Sequence, residues 1–392
     1  MPWKESNVLH ERIKFVNEAI EGQWSVTDLC RKYGISRKTG YKFIERFRDH
    51  GLDGLMDRSR APESQPNRVS GEMIDTLIDR RIQYPTWGPR KVLRSLQREN
   101  PSIIEWPAIS TVGEIFKRHG LVKSKKKRRP NGLYHRGPSD PANRPNQTWC
   151  ADHKGPFRTA DGYIVNPLTV SDEYSRFLLG CQCMESLASE ATIPAFKRLF
   201  QRYGMPDAIR TDNGSPFASA KGLGGFTPLS VWWVKLGVTP QRIQPGKPQQ
   251  NGAHERMHRT LKNETANPAA RDRRSQQRSF DRFRKQYNEI RPHEALDDDT
   301  PAMHYSHGVK PFPSRIPEPN YPGSYEVKRV RSKGSVKLHG TEVFITSALD
   351  TERIAFEQIS ELQWRVHFYH LALGVYDLGS GKWLHFPAHH QT

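Results

Sequence analysis

The chain has 392 residues, 61 Lys+Arg against 42 Asp+Glu, a net charge of +19 and a hydrophobic fraction of 35%. That length accommodates roughly two to four domains, and a mean hydropathy of −0.78 suits several small modules on linkers better than one compact globule. The charge points to a polyanionic partner rather than a merely basic surface. Four cysteines without C-x-x-C pairs exclude a readable disulfide framework or structural zinc site.

With no apolar stretch at the start and no uninterrupted run long enough to span a bilayer, the expectation is a cytoplasmic protein with no membrane association. The positive excess is uneven. Residues 1–150 hold 29 Lys+Arg against 17 Asp+Glu, and residues 151–392 hold 32 against 25. The amino-terminal part is the more polyanion-seeking.

Residues 1–50 read as a helix-turn-helix DNA-binding domain. Val8 through Ile20 repeat at helical spacing, Ser25-Val-Thr-Asp28 has the form of a capping box, and Gly34 falls where a tight turn needs positive φ. Ser36 then caps a second helix carrying Arg37, Lys38, Lys42 and Arg46, placed for the major groove. The alternative is a helical hairpin with a solvated basic face. Residues 51–69, rich in Gly, Pro and Ser, read as a linker.

A second helical, helix-turn-helix-like DNA-binding domain is expected over 70–122, with helices at 71–83, 89–99 and 110–119 separated by prolines. Arg90, Lys91 and Arg94 lie near one face of the middle helix, available either to DNA or to packing. A basic linker follows over 123–144. Its run Lys125, Lys126, Lys127, Arg128 and Arg129 is a tether that binds phosphate without reading sequence.

Residues 145–305 alternate between short apolar runs and amphipathic stretches. Three strands (148–152, 164–170, 177–184), a helix (186–203), a strand (208–211), a helix (227–236), a strand (238–243) and two helices (252–266, 272–290) indicate an α/β core with a mixed five-stranded sheet. A linker over 306–323 leads to residues 324–392, whose short alternating runs read as a small β-barrel or sandwich. Lys328, Arg329, Arg331, Lys333 and Lys337 give that domain a basic side suited to DNA or to a protein partner.

Three acids carry the chemistry. Asp152 and Asp212 end predicted strands, and Glu255 opens a predicted helix. Aspartate is short and suits strand ends, whereas glutamate reaches in from a helix. Separated carboxylates on rigid elements can hold two divalent cations about 3.5–4 Å apart, the device that activates one oxygen of a phosphodiester exchange and stabilises the other. Any one acid alone reads as a turn or loop residue. Their surroundings tip the balance: a polar loop containing Lys247 precedes Glu255, and Arg259 and Lys262 follow four and seven residues later on the same helical face.

Trp149-Cys-Ala-Asp152, Thr211-Asp-Asn-Gly214, Gly246-Lys-Pro-Gln-Gln-Asn-Gly-Ala-His-Glu255-Arg256 and Tyr287-Asn-Glu-Ile-Arg-Pro-His293 together resemble the DDE transposases of bacterial insertion sequences, whose core is similar to that of retroviral integrases. The resemblance spans the head and core and is weaker over the final domain. It implies a ribonuclease-H-like fold and direct transesterification dependent on Mg²⁺ or Mn²⁺, two ions per active site. Asp152, Asp212 and Glu255 take the places of the catalytic, metal-binding triad, and Arg259 and Lys262 match positions that contact DNA. Two features depart from the pattern. The 42 residues between Asp212 and Glu255 exceed the family's usual interval, with Ala220-Lys-Gly-Leu-Gly-Gly225 as the insertion and Glu264 as the nearest alternative acid. The zinc-binding head of the retroviral enzymes is also replaced by helix-turn-helix modules.

The expected function is a transposase that binds terminal inverted repeats as double-stranded DNA, cleaves the ends to 3′-OH groups and joins them to target DNA. It would act as a homo-oligomer, a dimer or tetramer, in a bacterial cytoplasm and associate with the nucleoid when bound to DNA. The alternatives are a metal-dependent nuclease without joining activity and a catalytically silent DNA-binding regulator.

Overall fold

The structure, a computed structural model, describes residues 7–58, 68–122, 141–219, 223–243 and 252–385. Lys247 and the run Lys125–Arg129 lie outside the described residues. The chain forms two compact units, Met1–Val69 and Ser70–Thr392.

In the first unit, helices α1 (Val8–Glu21), α2 (Val26–Lys32) and α3 (Arg37–His50) enclose Phe15, Val16, Leu29, Cys30, Phe43, Ile44 and Leu55. Local chemistry sets the breaks between them. Ser25 Oγ accepts the Asp28 N–H at 3.2 Å, and Ser36 Oγ accepts the Thr39 N–H at 3.2 Å. The capping box differs from the expected one, because Asp28 meets the Ser25 hydroxyl and not its backbone. Gly34 takes φ +65°, as the turn requires. Arg37, Lys38 and Lys42 are exposed on α3, and Arg46 is half-buried. Gly40 lets α3 pass close to its neighbours, since an added Cβ would stand 2.4 Å from Cys30 Sγ and 3.0 Å from Phe15 Cζ. Gly40→Val is therefore expected to destabilise this unit by about 1–3 kcal/mol through overpacking. Urea denaturation of residues 1–69 checks this, and an unchanged midpoint would contradict it.

The second unit begins with α4 (Gly71–Gln83), α5 (Pro89–Glu99) and α6 (Ile109–Arg118), packed on Leu77, Trp87, Val92, Leu93, Leu96, Val112, Ile115 and Phe116. The basic face of α5 has partners within the protein. Arg90 Nε bonds both Asp298 oxygens at 3.0 and 2.9 Å, Arg94 Nε lies 3.3 Å from Asp298 Oδ2, and Lys91 Nζ donates to the Pro292 carbonyl at 2.6 Å. A buried carboxylate needs several donors to offset its lost hydration, and Asp298 recruits them from α5. These contacts tie α5 to the core, while the Arg90 and Arg94 side chains stay 44% and 47% exposed.

The core sheet contains β1 (Thr148–His153), β2 (Phe157–Arg158), β3 (Ile164–Asp172), β4 (Leu178–Met184), β5 (Ala208–Thr211) and β6 (Thr239–Arg242). Across the sheet the order is β4–β3–β1–β5–β6, and β2 pairs with the start of β3 where the register of β1 leaves off. The β3 pairings are antiparallel, whereas β1–β5 and β5–β6 are parallel, which makes the sheet mixed. Trp149, Ala151, Leu168 and Val170 face a core shared with α7 (Ser189–Tyr203) and α8 (Pro228–Lys235). Val165, Cys181 and Cys183 face α9 (Gly252–Thr265) and α10 (Arg273–Glu289) through Met257, Leu261, Phe280 and Phe283. Alternation along a strand sends even-numbered residues of β1 to the α9 side.

The carboxy-terminal part departs from a barrel. β7 (Glu326–Arg329), β10 (Arg353–Gln358), β11 (Gln363–Phe368), β12 (Leu371–Asp377) and β13 (Lys382–His385) form an open antiparallel sheet in the order β13–β12–β11–β10–β7, while β8 (Ser335–Leu338) and β9 (Thr341–Phe344) form a separate hairpin. Among the described residues no ladder closes the two. After β7 a turn with Lys333 and Gly334 at positive φ carries the chain off the sheet edge. The hairpin then packs face to face through Val336, Leu338 and Val343 against Ile354, Phe356, Val366 and Phe368. The insertion between Asp212 and Glu255 is used here, because Leu223 donates its N–H to Ile345 O at 2.9 Å and joins this apolar cluster. No helix among the described residues is long and apolar enough to cross a membrane.

Candidate active site

Sheet register places the two aspartates together. Thr148 pairs with Ala208 and Cys150 with Arg210, so two residues further along both strands stand Asp152 and Asp212, on the face that α9 covers. Asp152, next to last in its strand, lies directly opposite Thr169 of β3. Asp212 follows β5 and opens a turn in which its Oδ1 accepts the Gly214 N–H at 3.1 Å. Glu255 sits in the first turn of α9. Residues α9 places four and seven positions beyond it, Arg259 and Lys262, are exposed like Glu255 itself.

Asp152 registers this crowding. Burial first, then the charges of Asp212 and Glu255, push its carboxyl from 3.8 to about 7, against the opposing pull of Lys154. Such a cluster suits a hard divalent cation, because carboxylate oxygens are its preferred ligands and the cation cancels the repulsion that the acids exert on one another. Without a cation, the folded protein holds a proton on Asp152 between about pH 4 and 7 that the unfolded chain has released. Stability from this group therefore falls as pH rises through that window and levels off above it. We expect the melting temperature of metal-free protein to drop from pH 5 to pH 8 more steeply than that of Asp152→Asn, and Mg²⁺ at pH 8 to stabilise only the native sequence. Equal Mg²⁺ shifts in both proteins would contradict this.

Two acids in the neighbourhood have structural partners instead. Glu264, the alternative to Glu255, pairs with Arg291 at 2.9 Å and accepts from Thr86 Oγ1 at 2.5 Å. Asp172 is fully buried and accepts from the N–H groups of Asn146 and Ser175 and from the Ser175 hydroxyl.

Two residues absent from the sequence expectation enter the site. His254 and His258 are buried on the inner face of α9, with ring centroids 4.7 Å apart. One ligand atom each from Asp152, His254 and His258 lie within 4.8 Å of one another, a spacing that can hold a metal ion. Their signal was the i, i+4 spacing of two histidines around Glu255, which on a helix puts both on one face.

The Integrase core domain family matches residues 142–248 and again 236–301, and helix-turn-helix and homeodomain-like families match 11–63 and 39–116. The chain is 24% identical over 269 residues to the Insertion element IS407 uncharacterized 31.7 kDa protein of Burkholderia multivorans, covering 68% of this chain and 86% of that protein. It is 26% identical over 274 residues to the Insertion element IS476 uncharacterized 39.2 kDa protein of Xanthomonas euvesicatoria, covering 70% and 76%. Among solved structures, the HTLV-2 integrase catalytic core domain in complex with magnesium aligns over 42% of this chain and 99% of that one, with 18% identity and a TM-score of 0.32. The integrase-core matches and the insertion-element relatives, with helix-turn-helix matches ahead of the core, support a DDE transposase/integrase enzyme.

Proposed function

We propose that the protein cleaves the ends of a mobile element to 3′-OH groups and joins them to target DNA. The observation carrying this reading is the β1–β5 register, which sets Asp152 and Asp212 side by side, with Glu255 in the first turn of α9 and its charge felt at the half-buried Asp152 carboxyl. Asp152, Asp212 and Glu255 would hold two Mg²⁺ or Mn²⁺ ions, which would supply Lewis-acid stabilisation to the entering and leaving oxygens. In the first reaction a water oxygen bonds to phosphorus and the bond to the element's 3′ oxygen breaks. In the second, that 3′-OH attacks a target phosphodiester and displaces a new 3′ oxygen, so bonds are exchanged without an outside energy source.

Arg259 and Lys262, exposed beside Glu255, hold the DNA backbone near the reacting phosphate. Arg37, Lys38, Lys42 and Arg46 on α3 read the element's ends in the major groove, and the runs at Lys125–Arg129 and Lys247 add sequence-independent phosphate contacts. Both ends must be handled together, so a dimer or tetramer assembles on the DNA. Incubation of the protein with a pre-nicked end duplex, a circular target and Mg²⁺ tests the joining step. A covalently joined product is expected; hydrolysis alone would make the protein a nuclease.

A further inference from the structure

The pairing that positions Asp152 runs past the end of β1. Lys154 donates its backbone N–H to the Pro167 carbonyl at 2.8 Å, one residue beyond the last β1–β3 pair, His153–Leu168. Alternation along the strand therefore puts Lys154 on the same face as Asp152. That face is the one α9 covers, because Thr169, opposite Asp152, places its hydroxyl 2.7 Å from His254 Nε2 and 2.6 Å from His258 Nε2. The positive charge of Lys154 is felt at Asp152 on its own strand and at His258 on α9, in keeping with an ammonium group between the two elements.

Lys154 is half-buried, yet among the described residues its side chain makes no hydrogen bond and no ion pair. By contrast, the buried guanidinium groups of Arg210 and Arg291 each have a carboxylate, Glu173 and Glu264. Asp152 does not serve Lys154 in that way. With divalent cations in the site, the charge of Asp152 is committed to them, and Lys154 stands beside charges of its own sign, which works against metal binding. A cation at such a place is offset only by a further anion. The anion that the proposed reaction brings to Asp152 is a phosphodiester.

We propose that Lys154 holds a non-bridging oxygen of the phosphodiester being cut, gripping it from the sheet side of the site while Arg259 and Lys262 on α9 hold the flanking backbone. The inference rests on the reading of Asp152 as part of a phosphoryl-transfer site. Lysine suits this task as a compact charge that follows the phosphate from ground state to transition state. Loss of one such preorganised donor typically costs about 10²–10³-fold in rate.

The test uses full-length protein and uncut end duplexes that carry either the natural phosphate or a neutral methylphosphonate at the cleavage point. Ca²⁺, which also takes oxygen ligands, replaces Mg²⁺ in the binding measurements. Lys154→Met, close in shape but uncharged, should lower the single-turnover cleavage rate about 10²–10³-fold. It should also flatten the dependence of log affinity on log salt by about 0.9, the share of one phosphate contact. Lys154→Arg should keep the native salt dependence. On the methylphosphonate duplex, native protein and Lys154→Met should bind equally and with the same salt dependence. A difference that persists there would put the contact on another phosphate and overturn the proposal. Mn²⁺ affinity separates contact with substrate from action through Asp152. Lys154→Met should bind Mn²⁺ as tightly as the native protein or more so, and weaker binding would make Lys154 a support for Asp152 instead. If the native protein cleaves no end duplex, the active-site reading itself fails; if it cleaves and Lys154→Met matches it in rate and salt dependence, only the present inference fails.

Discussion

Asp152→Asn is expected to lower DNA cleavage and joining by about 10³-fold or more while leaving the affinity for DNA ends nearly unchanged. The magnitude follows from the several kcal/mol of transition-state charge stabilisation that a bound cation supplies, with each 1.36 kcal/mol worth a factor of ten in rate. Asparagine keeps the shape of the side chain but loses the charge, at a position that feels the charges of both Asp212 and Glu255. The helix-turn-helix head forms a separate compact unit with its own apolar core, so its grip on DNA does not depend on that carboxylate. Rates from single-turnover joining, set beside gel-shift affinities, check the prediction. A variant that joins DNA at the native rate would remove Asp152 from the site.

Arg210→Ala is expected to produce the largest loss of stability in the core, about 3–5 kcal/mol. Arg210 and Glu173 form an ion pair whose side chains are only 11% and 7% exposed, and Arg210 Nη2 also donates to Gln241 of the neighbouring strand at 3.0 Å. Removing the guanidinium leaves a carboxylate buried without its partner, which costs far more than an exposed pair would. Arg210 also lies two residues before Asp212, near the end of β5, so loosening this strand end disperses the acids as well. Denaturant unfolding monitored by tryptophan fluorescence measures the loss. A change below about 1 kcal/mol, the range of an exposed pair, would mean that water or another cation takes over the role of Arg210.

The parts of the structure visible in the sequence are those set by near neighbours. Ser25, Ser36 and Gly34 mark helix ends because capping and positive φ are local demands, and the strands leading to Asp152 and Asp212 stand out because Gly and Asp punctuate them. Asp152, Asp212 and Glu255 stood out as candidates because each sits near an element boundary. Non-local pairings were not legible. That Arg90 and Arg94 meet Asp298, some two hundred residues away, could not be read from the sequence, which does not announce the burial of that carboxylate. His254 and His258 acquire meaning only once the β1–β3 register sets Thr169 against Asp152. The expected barrel became an open sheet facing a hairpin because alternating strands specify an inward face but not which edges meet.

The central claim is that Asp152, Asp212 and Glu255 form one metal site. Calorimetric titration with Mn²⁺ in the presence of an end duplex tests it most directly, comparing the native protein with a variant carrying Asp152→Asn, Asp212→Asn and Glu255→Gln. Two ions per active site are expected in the native protein and none at that site in the variant, with folding and DNA binding intact. Mn²⁺ binding of equal stoichiometry and affinity in the two proteins would contradict it.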